Sequence, residues 1–361
     1  MYKILPMTRL GLATIQQNRS KVIKKVNELL YNDELVYRVE EKIRCITEKF
    51  PEGHLLFPGS IVVSSETLLE KCQTDLTNED ITSSLSRLNL VKKIAFFDGL
   101  NCGSFCSDPF YLFFQTFGLK VDRISDADIR NGILNEYELL IVPGGPDAGE
   151  SYYEGLGEKG YEEIREFVSN GGKYLGSCAG SYFPLMAEPN TIPSDVWLNM
   201  IPATDLHGLD YWRTGTGFVR VEFEDVMHPV ALNVAMGNPS TIDMIYWEGP
   251  AFELLEGADI HVIARFKDFI ASGKSLPSWS LENNEIAENA MKWANPLTSE
   301  RFDEHLKGYP AIIEAPYGKG HMVLFSPHAE FGTCGTDHSM DENPNFLLLM
   351  NSIYYLSGRG E

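Results

Sequence analysis

The first part of the chain carries apolar residues at helical spacing. Between residues 11 and 50 they recur three and four positions apart, as at Val22, Val26 and Leu29, which is typical of an amphipathic helix. The segment FPEGHLLFPGS then interrupts the pattern with prolines and glycines. We therefore expect residues 1–90 to form a mainly helical appendage, whose function the pattern does not indicate.

From about residue 91 the pattern changes to alternating strands and helices. The short apolar runs KKIAFFDG, LKVDRIS, YELLIVPGG and KYLGSCAG alternate with amphipathic segments that end in glycine. This alternation predicts a parallel sheet with right-handed crossovers. A run such as LLIV, with no polar position, indicates a strand buried on both faces. We therefore predict an α/β domain with a flavodoxin-like, mostly parallel sheet over residues 91–361.

A β-rich insertion is expected around residues 190–310. There GTGFVRVEFED and ADIHVIARFKD indicate strands, with long loops rich in proline and asparagine between them. Further on, YPAIIEAPYGKGHMVLFSPHAEF predicts two strands around a Tyr-Gly-Lys-Gly turn. The apolar segment NFLLLMNSIYYLSG predicts a closing helix.

One cysteine follows a predicted strand directly, where parallel sheets gather their chemistry. Cys178 stands between Gly176 and Gly180, immediately before a predicted helix. The G-x-C-x-G spacing is the thiol counterpart of a nucleophile elbow. A helix start would favour the thiolate form of such a cysteine. The alternative is a small buried hydrophobe, and partner residues elsewhere in the chain favour the nucleophile.

Those partners are a histidine and a carboxylate after another apolar strand. His328 and Glu330 follow HMVLF at a spacing of two, which places both side chains on one face of an extended segment. A thiolate nucleophile needs a base, and the base needs a group that orients it. We therefore predict that Glu330 holds one imidazole nitrogen while the other faces Cys178.

Backbone N–H groups complete the predicted site. Gly144 and Gly145 follow the buried strand that ends at Val142, and Ala179 follows the cysteine. Their N–H groups can approach a substrate carbonyl from two sides, as in an oxyanion hole.

The segments IVPGG, YLGSCAG and FSPHAE together resemble the class I glutamine amidotransferase-like superfamily, and most closely its biotin–protein ligase N-terminal-like proteins. Their pattern of PGG, a helix of the IREFV kind and GGxYLGxCAGxY is matched between Val142 and Tyr182. The segments YWEGPAF and YGKGHMVLFSPHAEF match that group too. The resemblance covers roughly residues 92–356 and leaves out the first 90.

The resemblance implies the superfamily's fold and a Cys178–His328–Glu330 triad. Biotin ligation is not expected, because no ligase catalytic domain follows in the sequence. Glutamine-hydrolysing relatives carry glutamine four residues after the cysteine, where this chain has Tyr182. We therefore expect Tyr182 to line the substrate pocket, and the departure makes glutaminase activity doubtful.

Two functional hypotheses follow from these residues. The first is a cysteine-dependent hydrolase or acyl or amido transferase that acts on a small carbonyl substrate without a cofactor or metal. The second is a catalytically silent module that binds a ligand or a partner on the same fold. A weaker third is a glutaminase subunit that supplies ammonia to a synthetase.

Charge and composition limit the kinds of binding partner and the cellular location that we expect. The chain has 30 basic and 51 acidic residues, a net charge of −21, and residues 1–90 are neutral, so the excess lies in residues 91–361. Such a surface repels nucleic acids and anionic lipids. No apolar run is long enough to cross a bilayer, and the start of the chain does not resemble a signal peptide. We expect a cytoplasmic protein whose first 90 residues contact a protein partner or a second copy.

Other motifs give weaker signals. The G-x-G-x-x-G match in GLGEKG is not a dinucleotide site, because it does not follow a strand directly; it reads as a flexible lead-in to a helix. The six cysteines do not form a disulfide framework. A zinc site or a labile disulfide is the less favoured alternative to unrelated side chains for Cys102, Cys106, Cys334 and His338. For a second set, two functions are weighed: lining a substrate pocket, or packing in the core or an interface. This set is Tyr211, Trp212, Tyr246 and Trp247.

Overall fold

The computed structural model describes residues 2–5, 19–47, 50–64, 74–76, 82–145, 148–187, 196–205, 215–232, 234, 240–272, 297–331 and 344–359. Within them the strands are β1 (Tyr2–Leu5), β2 (Val36–Val39), β3 (Ile43–Thr47), β4 (Phe50–Leu56), β5 (Ile61–Ser64), β6 (Thr74–Leu76), β7 (Leu85–Arg87), β8 (Ile94–Phe97), β9 (Val121–Ile124), β10 (Leu139–Val142), β11 (Lys173–Ser177), β12 (Ala203–Asp205), β13 (Thr216–Phe223), β14 (Thr241–Trp247), β15 (Phe252–Leu254), β16 (His261–Ser272), β17 (Pro310–Tyr317) and β18 (Gly320–Phe325). The α-helices are α1 (Arg19–Tyr31), α2 (Ser104–Phe117), α3 (Asp126–Arg130), α4 (Ala148–Ser169), α5 (Ala179–Tyr182), α6 (Ser299–His305) and α7 (Pro344–Ser357). Among these helices, none combines the length and apolar character that a membrane span requires.

The central sheet has nine strands in the order β14-β13-β16-β17-β18-β11-β10-β8-β9. The strands from β18 to β9 run parallel to one another, and β17, β16, β13 and β14 extend the sheet with antiparallel pairs. Counted from β8, the parallel part has the order 2-1-3-4-5 found in flavodoxin-like sheets. The fold is therefore mixed α/β with a mostly parallel centre, as the alternation predicted.

Alternate residues of the parallel strands enter two hydrophobic cores, one on each face of the sheet. Phe96 and Ile141 pack in one core, together with residues of α1, α2 and α7. Phe97 and Leu140 pack in the other, together with residues of α4. Burial on both faces explains why these strands contain no polar position.

The N-terminal region differs from the expectation of a mainly helical appendage. Among the described residues of this region α1 is the only α-helix, and β1 to β7 form a separate seven-stranded sheet in the order β4-β3-β6-β1-β5-β2-β7. The helical spacing ends at Tyr31, and Asp33 turns the chain with φ at 61°. After this turn, VYRV and IRCIT combine β-branched and polar residues in the way that strands do. The helical prediction was therefore right for α1 and wrong for residues 36–47.

Helix α1 joins the N-terminal region to the core of the central sheet. Its buried Asn27 donates from Nδ2 to the carbonyl of Phe117, at the end of α2, over 2.8 Å. Asn27 Oδ1 accepts from the Tyr354 hydroxyl of α7 over 2.6 Å. One amide side chain thus connects three helices. The domain boundary near residue 90 stays a prediction.

The GLGEKG segment lies inside α4, so the expectation of a flexible lead-in was wrong. The helix begins at Ala148 and is interrupted at Gly157, which has φ 59° and ψ −177°. The predicted stop is confirmed, because α4 ends at Ser169 and Gly171 has φ 118°.

Replacement of Asn27 tests this connection. Asn27→Ala leaves the Tyr354 hydroxyl and the Phe117 carbonyl without a buried partner, so we expect the free energy of unfolding to fall by about 2–4 kcal/mol. Chemical denaturation measures this change. Lys25→Ala, at an exposed site on the same helix, should change it by less than about 0.5 kcal/mol. Equal effects of the two variants would contradict the role given to Asn27.

Candidate active site

Cys178 lies on a sharp turn between β11 and α5. Its φ is 51° and its ψ is −113°, a conformation that non-glycine residues rarely adopt and that tends to occur at functional sites. The Cys178 N–H donates to the Phe325 carbonyl over 2.9 Å, which anchors the turn to the end of β18. Cys178 is buried, with 7% of its surface exposed.

The two glycines of the G-x-C-x-G motif are required by close backbone contacts. A Cβ atom on Gly176 would lie 2.3 Å from the Gly180 carbonyl oxygen. A Cβ atom on Gly180 would lie 2.2 Å from the Val142 carbonyl oxygen. A side chain at Gly180 would push the turn away from β10, and one at Gly176 would collide with the turn itself.

The imidazole of His328 reaches the same volume from the end of β18. The backbone N–H of His328 donates to the carbonyl of Ile245 over 2.8 Å, where the two residues form an isolated β-bridge. The imidazole stacks on Phe331, with ring centroids 4.5 Å apart. These contacts fix the backbone and the ring plane of His328.

Glu330 and Ser177 orient the imidazole of His328. His328 Nδ1 lies 2.7 Å from Glu330 Oε1, and both side chains are fully buried. The Ser177 hydroxyl lies 3.0 Å from Glu330 Oε1 and 2.8 Å from Oε2. The carboxylate therefore faces a donor on each side and holds His328 Nδ1 in its protonated form.

The second ring nitrogen of His328, Nε2, is not bound by Glu330, which contacts Nδ1. This Nε2 atom is buried and has no hydrogen bond of standard geometry within the described residues. The Cys178 sulfur is nevertheless close enough to act on the ring. Burial alone would lower the pKa of His328, but the charges of Cys178 and Glu330 outweigh burial and raise it to about 10. In the resting geometry the Cys178 thiol donates to the Trp247 carbonyl over 3.4 Å.

Gly144 lies where the predicted site residues converge. A Cβ atom on Gly144 would lie 3.3 Å from Cys178 Cβ and 3.3 Å from His328 Cε1. Gly145 lies further out, because a Cβ atom there would approach the Asn101 carbonyl oxygen at 3.0 Å. Ala179 opens the single turn of α5 directly after the cysteine. The role of these N–H groups as an oxyanion hole stays a prediction.

Tyr182 lies one turn beyond Cys178 and is almost completely buried. Its ring packs against Trp197 at a centroid distance of 6.1 Å. Burial raises the pKa of Tyr182 well above its ordinary value, and the neighbouring acidic groups, Asp205 first among them, raise it further. The phenol is therefore neutral at physiological pH and keeps its proton.

Cys102 and Cys106, which the sequence grouped as candidates for zinc or a disulfide, direct their thiols to different parts of the structure. Cys106 Sγ would lie 2.8 Å from a Cβ atom on Gly144, next to Cys178. Burial and then the charge of Cys178 raise the pKa of the Cys106 thiol well above its ordinary value. Cys102 instead directs its thiol to the Phe97 carbonyl over 3.6 Å. The remaining members, Cys334, His338, Tyr211 and Trp212, lie outside the described residues.

Sequence reasoning missed three features of this site. Ser177 precedes Cys178, and no motif in the sequence marked it as a partner of Glu330. Alternation of side chains along β11 is nevertheless enough to direct its hydroxyl to the face of the sheet where Glu330 lies. The Trp247 carbonyl is a backbone group, which no side-chain pattern reveals. The contact of Cys106 with Gly144 depends on how α2 packs, which the sequence pattern does not reveal.

One segment of the chain matches a known protein family. Residues 121–188 match the family described as Biotin-protein ligase, N terminal. This segment includes β10, α4, β11 and Cys178, and it excludes His328 and Glu330.

Two curated relatives share longer or neighbouring stretches. The biotin–protein ligase of Schizosaccharomyces pombe is 51% identical over 204 residues, which are 55% of this chain and 26% of that protein. The phosphoribosylformylglycinamidine synthase subunit PurQ of Leptospira interrogans is 33% identical over 101 residues, which are 27% of this chain and 42% of that subunit. The chain thus spans less than half the length of each relative.

Among solved structures, one titled as a glutamine amidotransferase covers 73% of this chain and 98% of its own, with 15% identity and a TM-score of 0.43. A cytoplasmic protein of Salmonella typhimurium covers 73% and 99%, with 14% identity and the same TM-score. The strand order and the matched segment agree with the resemblance inferred from the motifs. Residues 121–188 are thus similar to the biotin-protein ligase N-terminal family.

Proposed function

We propose that this protein is a cysteine-dependent hydrolase or acyl or amido transferase acting on a small carbonyl substrate. One observation carries the proposal: the Cys178 turn faces an imidazole whose Nδ1 lies 2.7 Å from a buried carboxylate. A structural cysteine has no need of a strained turn or of an oriented buried histidine. A nucleophile with its base and orienting group needs both.

The proposed reaction begins when the Cys178 sulfur attacks the substrate carbonyl carbon. The carbonyl π electrons move to oxygen, and N–H groups near Gly145 and Ala179 stabilise the oxyanion, an effect worth about 3–4 kcal/mol per donor in well-studied enzymes. The imidazolium of His328 gives its Nε2 proton to the leaving amine or alcohol as the bond to carbon breaks. Glu330 stabilises the imidazolium throughout.

The second half of the proposed reaction releases the acyl group. Water, or an acceptor amine in a transferase, attacks the thioester carbon, and His328 Nε2 takes its proton. The carbon–sulfur bond then breaks and Cys178 is regenerated. We expect the neutral Tyr182 phenol to line the substrate pocket and to donate a hydrogen bond to a substrate oxygen. No step requires a cofactor or a metal.

The relatives suggest a second candidate function and limit which activities can be transferred to this chain. Identity with a PurQ subunit favours glutaminase activity, whereas Tyr182 stands where glutamine hydrolysers carry glutamine. Release of ammonia from glutamine by the protein would support this candidate, and Cys178→Ala should abolish the release. The activity of the fission yeast biotin–protein ligase is not transferred to this chain, because the match spans 26% of that protein. Contact with a protein partner through residues 1–90 remains part of the proposal.

Thiol reactivity distinguishes the enzyme from a silent binding module. We expect iodoacetamide at about pH 6 to alkylate Cys178 at least tenfold faster than a free cysteine, because imidazolium stabilises the attacking thiolate. His328→Gln should remove this advantage, whereas His305→Gln, which replaces a histidine outside the site, should not. Mass spectrometry of the peptide that contains Cys178 measures the rate. Uniformly slow labelling would favour the binding module.

The charge state of His328 can be measured directly. We expect its Cε1–H signal to titrate near the pKa of about 10 in the wild type, and at lower pH in both Cys178→Ser and Glu330→Gln, because each variant removes one negative partner. The raised pKa adds stability that is full below the ordinary value of 6.5 and is lost as pH rises towards 10. A wild-type pKa at or below 6.5 would contradict the ion pair.

The substrate can be sought by trapping. Incubation with cell extract should leave an acyl group on Cys178 that mass spectrometry detects, and less of it should form in His328→Gln, because acylation needs the thiolate and the proton that the imidazolium provides. Cys178→Ala is the matched control and should carry no adduct at this position. If Cys178→Ala turns over an identified substrate as fast as the wild type does, the proposal is wrong.

A further inference from the structure

Four titratable side chains meet at the end of the sheet away from Cys178. His228 lies in the loop after β13, and His261 is the first residue of β16. Glu314 lies in β17, and His321 lies near the start of β18. The opposite end of β18 leads to the proposed triad, so this cluster is separate from the site described above.

Three of these side chains are close enough to share one ion. One ring nitrogen each of His228 and His261 and one oxygen of Glu314 all lie within 4.8 Å of one another. Of these atoms, His228 Nε2 and Glu314 Oε1 lie 3.6 Å apart. Zinc bonds of about 2.0–2.1 Å place tetrahedral ligand atoms about 3.4 Å apart, so a small movement suffices. His261 is exposed and can make that movement, whereas His228 and Glu314 are buried.

We propose that His228, His261 and Glu314 form a binding site for a divalent transition metal ion, with Zn²⁺ as the best match. Two imidazoles and one carboxylate are a ligand set that zinc accepts, and the fourth position is left for water. The ion would connect the loop after β13 to the first residue of β16 and to β17.

His321 supports the proposed ligand set from behind. Its Nε2 lies 3.0 Å from Glu314 Oε2, the carboxylate oxygen that does not face His228. Such a contact fixes the orientation of a ligating carboxylate, and its loss typically weakens metal binding by about 10–100-fold. His321 is therefore a positioning residue in this site.

Arg359 approaches the same Glu314 oxygen that faces His228. Its Nη2 lies 3.6 Å from Glu314 Oε1, and its guanidinium lies over the Tyr355 ring at 4.6 Å. The arginine side chain is largely exposed and can withdraw into solvent. A cation at Oε1 is thus already favoured, and Arg359 is a competitor of the metal.

Metal binding at His228 has one local cost. The Val230 N–H points at His228 Nδ1 over 3.3 Å, but a ring that binds metal through Nε2 carries its proton on Nδ1. This contact is longer than an ordinary hydrogen bond, so little is lost when it opens. Zinc should therefore speed hydrogen exchange of the Val230 amide.

The experiment is a Zn²⁺ titration of the full chain by calorimetry, carried out in Cys178→Ala so that the proposed triad contributes no thiolate ligand. We expect one Zn²⁺ per chain. His261→Ala should weaken binding at least tenfold, and His321→Gln by about 10–100-fold. Arg359→Ala should strengthen binding by about two- to fivefold, the value of an exposed ion pair. His305→Gln is the matched control and should have no effect.

A second readout identifies the ligands. Co²⁺ in place of zinc should give the absorption of a tetrahedral site without a sulfur-to-cobalt charge-transfer band, and Glu314→Gln should abolish it. Thermal unfolding without metal shows whether each variant is folded, and His261→Ala, at an exposed position, tests the site even if Glu314→Gln is unstable. If no stoichiometric Zn²⁺ binds, or if binding survives both His261→Ala and Glu314→Gln, the cluster is an ion-pair network only and the proposal is wrong.

Discussion

The candidate site depends on the parallel pairing of β11 with β10 on one side and β18 on the other. The register places Val142 opposite Gly176 and Ser177 opposite Phe325, so the chains leaving all three strands start at one level of the sheet. The loop after β10, the cysteine turn and the histidine segment are therefore neighbours before any side chain is considered. A register shift of one residue would turn Ser177 to the opposite face and remove the group that holds Glu330.

Buried polar groups decide which parts of this arrangement can move. A fully buried carboxylate is costly unless it is paired and hydrogen-bonded, and Glu330 meets this condition with Ser177 and His328. Loss of either partner leaves a charge without compensation, so these residues form a unit whose members cannot be exchanged singly. Cys178 is different, because its thiol rests on the Trp247 carbonyl and can turn to a substrate without leaving a buried charge unpaired.

The sequence predicted those features that depend on local patterns. All-apolar runs such as LLIV predicted the strands of the parallel sheet, and G-x-C-x-G predicted the turn because close backbone approach tolerates only glycine there. The helical prediction failed beyond Tyr31, because helical and strand spacing coincide over a few residues and Asn32-Asp33 carried the actual boundary. The cluster around Glu314 was invisible, because its residues are scattered from position 228 to position 321 and only the antiparallel part of the sheet assembles them.

The two ends of β18 have opposite chemical characters, and this contrast limits what each can do. At the carboxyl end, His328 is fully buried beside the Glu330 carboxylate and the Cys178 side chain, which together raise the pKa of its imidazole. At the amino end, the imidazoles surround a single carboxylate at the edge of solvent, where an exposed arginine already supplies positive charge. The first environment suits proton transfer, which needs a fixed geometry and no water. The second suits an exchangeable cation, because its ligands can be reached from solvent and one of them, His261, is free to adjust.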